Sequence, residues 1–103
     1  MWILSTVDGA EAPFTFRILP GNIKTVGRAT RADFIVDAPL VSRLHCRLTA
    51  GAAELEVVDL ESTNGTFVNG ERIDRAILKI GDRLGVGRVE LSIKRGTVES
   101  DVS

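Results

Sequence analysis

Four short runs between Gly27 and Asn69 carry nearly all the side chains of this sequence that could hold or transform an anion. They are Gly27-Arg28, Ser42-Arg43-Leu44-His45, Ser62-Thr63-Asn64-Gly65-Thr66 and Val68-Asn69-Gly70. The guanidinium groups of Arg28 and Arg43 are planar forks that match phosphate or carboxylate oxygens. The hydroxyls of Ser42 and Thr63 can donate to the same oxygens, and the amides of Asn64 and Asn69 can both donate and accept. His45, the one histidine, stands three residues after Ser42, so a nucleophile and base pair is the first chemistry to consider. That pairing lacks the rest of its machinery, since the sequence places neither a partnering carboxylate nor an oxyanion-hole turn. One histidine with one cysteine, Cys46, cannot complete a structural zinc site. No Gly-Lys-Ser or Gly-Lys-Thr phosphate loop occurs. The expectation is a binding protein, not an enzyme, with no cofactor and no metal.

Such residues need a scaffold, and composition limits which one. The chain has 103 residues, 44% hydrophobic and 26% charged, with net charge −1, which describes one ordinary globular domain. No run approaches the roughly 18 consecutive apolar residues of a membrane span. The start, Met1-Trp2-Ile3-Leu4, lacks a basic signal region, and the single cysteine excludes an internal disulfide, so a reducing, cytoplasmic setting is expected. The net charge gives no support to nucleic-acid binding. Locally the balance differs: residues 24–47 hold Lys24, Arg28, Arg31, Arg43 and Arg47 against Asp33 and Asp37. This excess suits an anion, although on charge alone a solvated surface is the better explanation.

Ten glycines, three prolines and no long helix-period run favour many short strands. Trp2 to Val7, closed by Asp8-Gly9, reads as the first, and Phe14, Phe16 and Ile18 alternate with Thr15, Arg17 and Leu19 in the second. Ile23 to Val26 and Phe34 to Val36 follow, before Pro39 excludes a continuing central strand. Leu44, Cys46 and Leu48 should face the core while His45, Arg47 and Thr49 face outward. Leu55 and Val57 obey the same rule, up to a turn at Asp59. Asn69-Gly70 is a strong hairpin signal, because a type I′ turn needs positive φ at both central residues. Ile77–Ile80, Arg83–Val86 and Val89–Ile93 complete about eleven short strands, an all-β, two-sheet antiparallel sandwich. Residues 1–95 form the expected domain, and 96–103, which lack an apolar pattern, are expected to be a disordered tail or the start of a linker.

The four runs, in this order and spacing, resemble the signature of the forkhead-associated (FHA) domain family, and the likeness extends over residues 2 to 95. Ala32-Asp33-Phe34-Ile35-Val36-Asp37 and the Gly81-Asp82 turn further resemble bacterial members. The resemblance implies recognition of phosphothreonine in a partner protein. It implies that Arg28 forks the phosphate, that Ser42 donates to it, and that Arg43 adds charge or a contact to the ligand backbone. Thr63 would reach the phosphothreonine through its hydroxyl, near a small pocket for the ligand's γ-methyl group. Burying one methyl contributes about 0.8 kcal/mol, roughly fourfold, in favour of threonine over serine. Asn64 would hold the ligand main chain, with Asn69 helping, although Asn69 is also what a hairpin demands. Gly27, His45 and Gly65 support the site: Gly27 turns the strand end and leaves no side chain beside the ligand, His45 bonds within the loops, and Gly65 takes a positive φ.

The partner implied is a phosphothreonine-containing protein or peptide made by a Ser/Thr kinase, or a phosphorylated segment of a longer protein carrying this domain. The domain is expected to act as a monomer, without nucleic acid or membrane. The competing expectation is an FHA-like interaction domain that uses another face and needs no phosphate. Retention of every expected phosphate-contact type favours the first.

Overall fold

The apolar alternation is realised as eleven strands in a computed structural model that describes residues 1–7 and 13–96. In chain order they are β1 (Trp2–Thr6), β2 (Thr15–Ile18), β3 (Ile23–Gly27), β4 (Phe34–Ile35), β5 (Cys46–Ala50), β6 (Leu55–Asp59), β7 (Thr66–Val68), β8 (Glu71–Ile73), β9 (Arg75–Leu78), β10 (Arg83–Val86) and β11 (Val89–Arg95). They form two sheets, ordered β2-β1-β11-β10-β7-β8 and β4-β3-β5-β6-β9. The expected sandwich is therefore present. The Asp8-Gly9 turn and residues 97–103 lie outside the described residues; Gly96 donates its N–H to the Met1 carbonyl at 2.9 Å and so continues the β1 pairing.

Period-two alternation decides the packing. Leu4, Leu84, Val86, Leu91 and Ile93 from one sheet meet Val26, Leu48, Leu55, Val57 and Leu78 from the other, and all ten are fully buried or nearly so. Each contributes about 1.5–3 kcal/mol by leaving water, before the entropy of ordering is subtracted. Two features close the sandwich. Trp2 Nε1 donates to the Gly51 carbonyl at 3.0 Å, linking the sheets at the end away from the cleft described below. At one open side Phe16 stacks on Phe34 with centroids 4.6 Å apart, and Phe14 stacks on Phe16.

Three expectations need correction. One pair is not antiparallel: β3 and β4 run parallel, with Val26 opposite Phe34. The Asp33 carboxylate accepts from the backbone N–H and hydroxyl of Thr25 at 2.8 and 3.1 Å. That clamp folds residues 28–33 back, so Phe34 restarts beside β3 in the same direction. His45 does not face outward; it is 0% exposed, next to an equally buried Cys46. Leu44, expected in the core, is only half-buried. Alternation holds within a strand, and β5 begins at Cys46, so the preceding residues follow loop geometry instead.

The Asn69-Gly70 turn is as expected, with φ of 52° and 85° joining β7 to β8. Cys46 behaves as a core side chain: burial, helped by the nearby Asp59 carboxylate, pushes its thiol up to about 12. A thiol held in that form is a poor nucleophile.

Candidate functional site

Three of the four polar runs, those from Gly27, Ser42 and Ser62, converge at one end of the sandwich because strand ends deliver them there. β3 ends at Gly27, β5 begins just after His45, β6 ends at Asp59 and β7 begins at Thr66. The segment Arg43–His45 crosses directly over Gly27. A Cβ placed on Gly27 would lie 2.0 Å from the Arg43 carbonyl oxygen, and the φ of Gly27 is not positive. Gly27 therefore serves a close backbone approach rather than a turn. That approach is stitched by Arg28 N–H to the Ser42 carbonyl at 2.9 Å, Ala29 N–H to the Arg43 carbonyl at 3.1 Å and His45 N–H to the Val26 carbonyl at 2.7 Å.

An open cleft of about 550 Å³ lies here, lined by Arg28, Asp37, Ala38, Pro39, Leu40, Val41, Ser42, Thr63 and Asn64. Arg28 is exposed, and its Nε donates to the Val41 carbonyl at 3.1 Å. One bond orients the guanidinium and leaves its four terminal N–H donors for a ligand. The Ser42 hydroxyl accepts from the Thr63 N–H at 3.0 Å. Its single proton remains free to be donated. Thr63 and Asn64 are exposed. Asn64 Nδ2 donates to the Leu40 carbonyl at 3.1 Å, which leaves Oδ1 and the second N–H available.

Arg43 does not line this cleft. It lines a neighbouring one of about 500 Å³, shared with Arg28, Ala29, Thr30, Ile35 and Asp37. The two clefts meet at Arg28 and Asp37. Asn69 is brought to neither. Its Nδ2 donates to Asp82 Oδ1 at 3.1 Å, and its Oδ1 accepts from the Arg83 N–H at 2.9 Å. The sequence expectation of a ligand contact at Asn69 is corrected: β7 carries it away from Thr66, and its amide ties the hairpin to the start of β10.

His45 is the inner support. Nδ1 accepts the Ser42 N–H at 3.0 Å and Nε2 meets the Gly65 carbonyl at 2.8 Å. A backbone N–H only donates and a carbonyl only accepts, so the ring must carry its proton on Nε2. One buried ring thus fixes both loops of the site. Gly65 has φ 93°, and a Cβ there would lie 2.7 Å from Nε of Arg72.

Sequence reasoning misses Asp59, which organises the second loop. Its Oδ1 accepts the Ser62 hydroxyl at 2.5 Å and the Thr66 hydroxyl at 2.6 Å, and its Oδ2 accepts the Ser62 N–H at 3.2 Å. Ser62 Oγ in turn accepts the Gly65 N–H at 3.0 Å. The spacing Asp-x-x-Ser, where a carboxylate folds back on a backbone N–H, is the available signal. Burial works to raise the Asp59 carboxyl, but the bonds from Ser62 and Thr66 outweigh it and hold the group below its ordinary 3.8. A depressed carboxylate stabilises the fold above its unfolded pKa, and that contribution disappears as pH falls through the folded one. Melting temperature should accordingly drop below about pH 4, and Asp59→Asn should flatten that drop. An unchanged acid profile in the variant would refute the assignment.

What the arrangement can do chemically is supply several donors to one anion. Among the described residues no group of three or more His, Cys, Asp or Glu side chains could hold a metal, and no helix is long and apolar enough to cross a membrane.

Comparison with known proteins places the fold among solved domains and matches the sequence to one family model. A family model described as FHA domain matches residues 24–87. The glycogen accumulation regulator GarA of Mycolicibacterium smegmatis is 36% identical over 77 residues, covering 75% of this chain and 49% of that protein. An ABC transporter ATP-binding/permease protein of Mycobacterium tuberculosis is 38% identical over 84 residues, 82% of this chain and 10% of the transporter. The chain thus spans about half of the regulator and a tenth of the transporter. A solved domain from work on phosphothreonine-dependent FHA domain interactions superimposes with a TM-score of 0.79 at 28% identity, covering 94% of this chain and 98% of that one.

Proposed function

This chain belongs to the forkhead-associated (FHA) domain family, and on that premise we propose that it is a phosphothreonine-dependent protein-binding module. Arg28, Ser42 and Thr63 read the phosphate, Asn64 holds the ligand main chain, and Arg43 adds charge from the adjoining cleft. The partner is a protein phosphorylated by an intracellular Ser/Thr kinase, and the domain binds it as a monomer.

The observation that carries the reading is the set of unspent donors facing one cleft. The four terminal N–H groups of Arg28 and the protons of the Ser42 and Thr63 hydroxyls all remain available there, while neighbouring polar groups are consumed inside the loops. Phosphorylation adds about −1.5 to −2 charges and three acceptor oxygens, so it creates partners for these donors that an unmodified threonine lacks. The resemblance of the fold to a domain studied for phosphothreonine-dependent interactions supports the same conclusion.

The test is a titration of the domain with a degenerate peptide library in phosphothreonine, phosphoserine and unmodified forms. The reading requires affinity in that order, with the unmodified library near background. Equal binding of all three forms would move recognition to another face of the sandwich.

A further inference from the structure

The alternation that fills the core also decides what the six-stranded sheet presents to solvent. Leu4, Leu84, Leu91 and Ile93 point inward, so their strand neighbours Ile3, Arg83, Gly85, Glu90, Ser92 and Lys94 point outward. Residues directly opposite one another share a face, which adds Arg17 opposite Ile3, Phe67 opposite Gly85, and Arg72 opposite Phe67. The middle of this face is low, with Ser5 opposite Ser92 and Gly85 on the next strand. Cations stand around it.

Arg17, Arg72, Arg83 and Lys94 are all exposed, and among the described residues Glu90 is the only carboxylate on the outward side of these strands. It bonds Arg83 at 3.3 Å, and no described carboxylate pairs with Arg17, Arg72 or Lys94. The outer face of the other sheet is closer to balance: it holds Arg47, Arg75 and Glu56, with Arg75 bonded to Glu56 at 3.2 Å. The whole chain has net charge −1, so the basic face reflects segregation of charge and not a basic protein. Clustered like charges do nothing for the isolated fold, because they repel.

The face is also continuous with the phosphate site. Arg72 lies against Gly65, where a Cβ would be 2.7 Å from its Nε. An open groove of about 350 Å³ runs beside Phe67 and Gly85 to Gly87 and Arg88. Gly87 packs in turn beneath the turn at Pro39 and Leu40 that borders the cleft. With strands about 4.8 Å apart, the six-stranded face is about 24 Å wide.

Resting on the phosphothreonine reading above, we propose that this face is a second docking surface, which takes an acidic stretch of the same phosphorylated partner at a distance from the phosphothreonine. Charge complementarity selects the occupant, and continuity with the cleft lets one chain reach both. Exposed ion pairs are weak singly and are screened by salt. Tethered to a bound phosphothreonine, an acidic stretch acts at high effective concentration, so weak contacts become a gain in affinity.

The test takes the phosphothreonine peptide that binds best in the library titration and extends it, at either end, to a run of glutamates or a control run of glutamines. The two parts are joined by a Gly-Ser spacer of about 15 residues, whose r.m.s. reach of about 21 Å is close to the width of the face. At low salt the glutamate peptide should bind about tenfold more tightly than the glutamine peptide, and the gain should vanish at high salt. Arg17→Gln combined with Lys94→Gln should cut that ratio to about threefold or less, and Arg17→Glu combined with Lys94→Glu to within about twofold. Both pairs should leave the melting temperature and the affinity for the glutamine peptide unchanged. Amide shifts at Ile3, Ser5 and Ser92 should appear with the glutamate peptide only.

Equal binding of the two peptides by the unaltered domain overturns the proposal and leaves the phosphothreonine reading intact. A gain that survives the charge-reversed pair does the same, since the acidic run would then lie elsewhere. A thymidine oligonucleotide or phosphatidylserine vesicles bound through Arg17 and Lys94 more tightly than the glutamate peptide would give the face to another class of partner and also overturn it. Absence of binding to every phosphorylated peptide overturns both readings.

Discussion

Replacing Arg28 by alanine is expected to weaken phosphopeptide binding at least a hundredfold while the domain keeps its stability. Two terminal N–H groups bonded to phosphate oxygens are charge-assisted, each worth about 1.5–3 kcal/mol, and losing about 2.7 kcal/mol already costs two orders of magnitude. The folded state loses far less. Arg28 is exposed and makes one internal bond, from Nε to the Val41 carbonyl. Such a bond contributes about 0.5–1.5 kcal/mol, so the melting temperature should move by only a few degrees. Arg28→Lys sharpens the point, because it keeps the charge and removes both the fork and the Nε anchor. It should recover at most about a tenth of the lost affinity if geometry matters more than charge. Calorimetric titration beside thermal melts would check both. An alanine variant that unfolds, or a lysine variant that binds normally, would contradict the role assigned to Arg28.

His45→Ala is the complementary case, where stability falls and binding follows. The ring is fully buried and bonded at both nitrogens, to the Ser42 N–H and the Gly65 carbonyl. Alanine leaves a cavity and two buried backbone groups without partners, a cost of about 3–4 kcal/mol, equivalent to a melting temperature lower by roughly 10–20 °C. Two conservative variants should divide the loss. In His45→Asn the new side-chain carbonyl would stand near the place of Nδ1 and keep the Ser42 bond, whereas the longer amide of His45→Gln reaches the place of Nε2 and keeps the Gly65 bond. Each should recover part of the stability. If all three variants melt like the unaltered domain, His45 is not the strut described here.

Much of this is legible in the sequence, for identifiable reasons. Period-two alternation locates the strands because an inward residue in a two-layer fold must be apolar, as Leu55 and Val57 show. The Asn69-Gly70 hairpin is readable because few residue pairs tolerate its two positive φ angles. Ser42, Thr63 and Asn64 stand out only because their runs, in order and spacing, resemble the family signature; singly each is an ordinary loop residue. What escapes depends on contacts between distant segments. Nothing local in Gly27 says that Arg43 passes over it, so it reads as a turn and is in fact a close approach. The outward reading of His45 fails because alternation says nothing about the residue before a strand. Asn69 reads as a ligand contact, although β7 carries it to the other end of the hairpin. Asp59 reads as a turn residue because its three bonds go to Ser62 and Thr66, and only the folded loop brings those donors together.

The most direct test of the central claim is to follow the backbone amides of the isotopically labelled domain by NMR while a phosphothreonine peptide is added. The largest shifts are expected on Arg28, Ser42, Arg43, Thr63 and Asn64, with Asn69 and the Trp2–Gly51 end unmoved. The unmodified peptide should shift none of them. Shifts centred on a sheet face or on the Trp2 end, or equal shifts from both peptides, would contradict it.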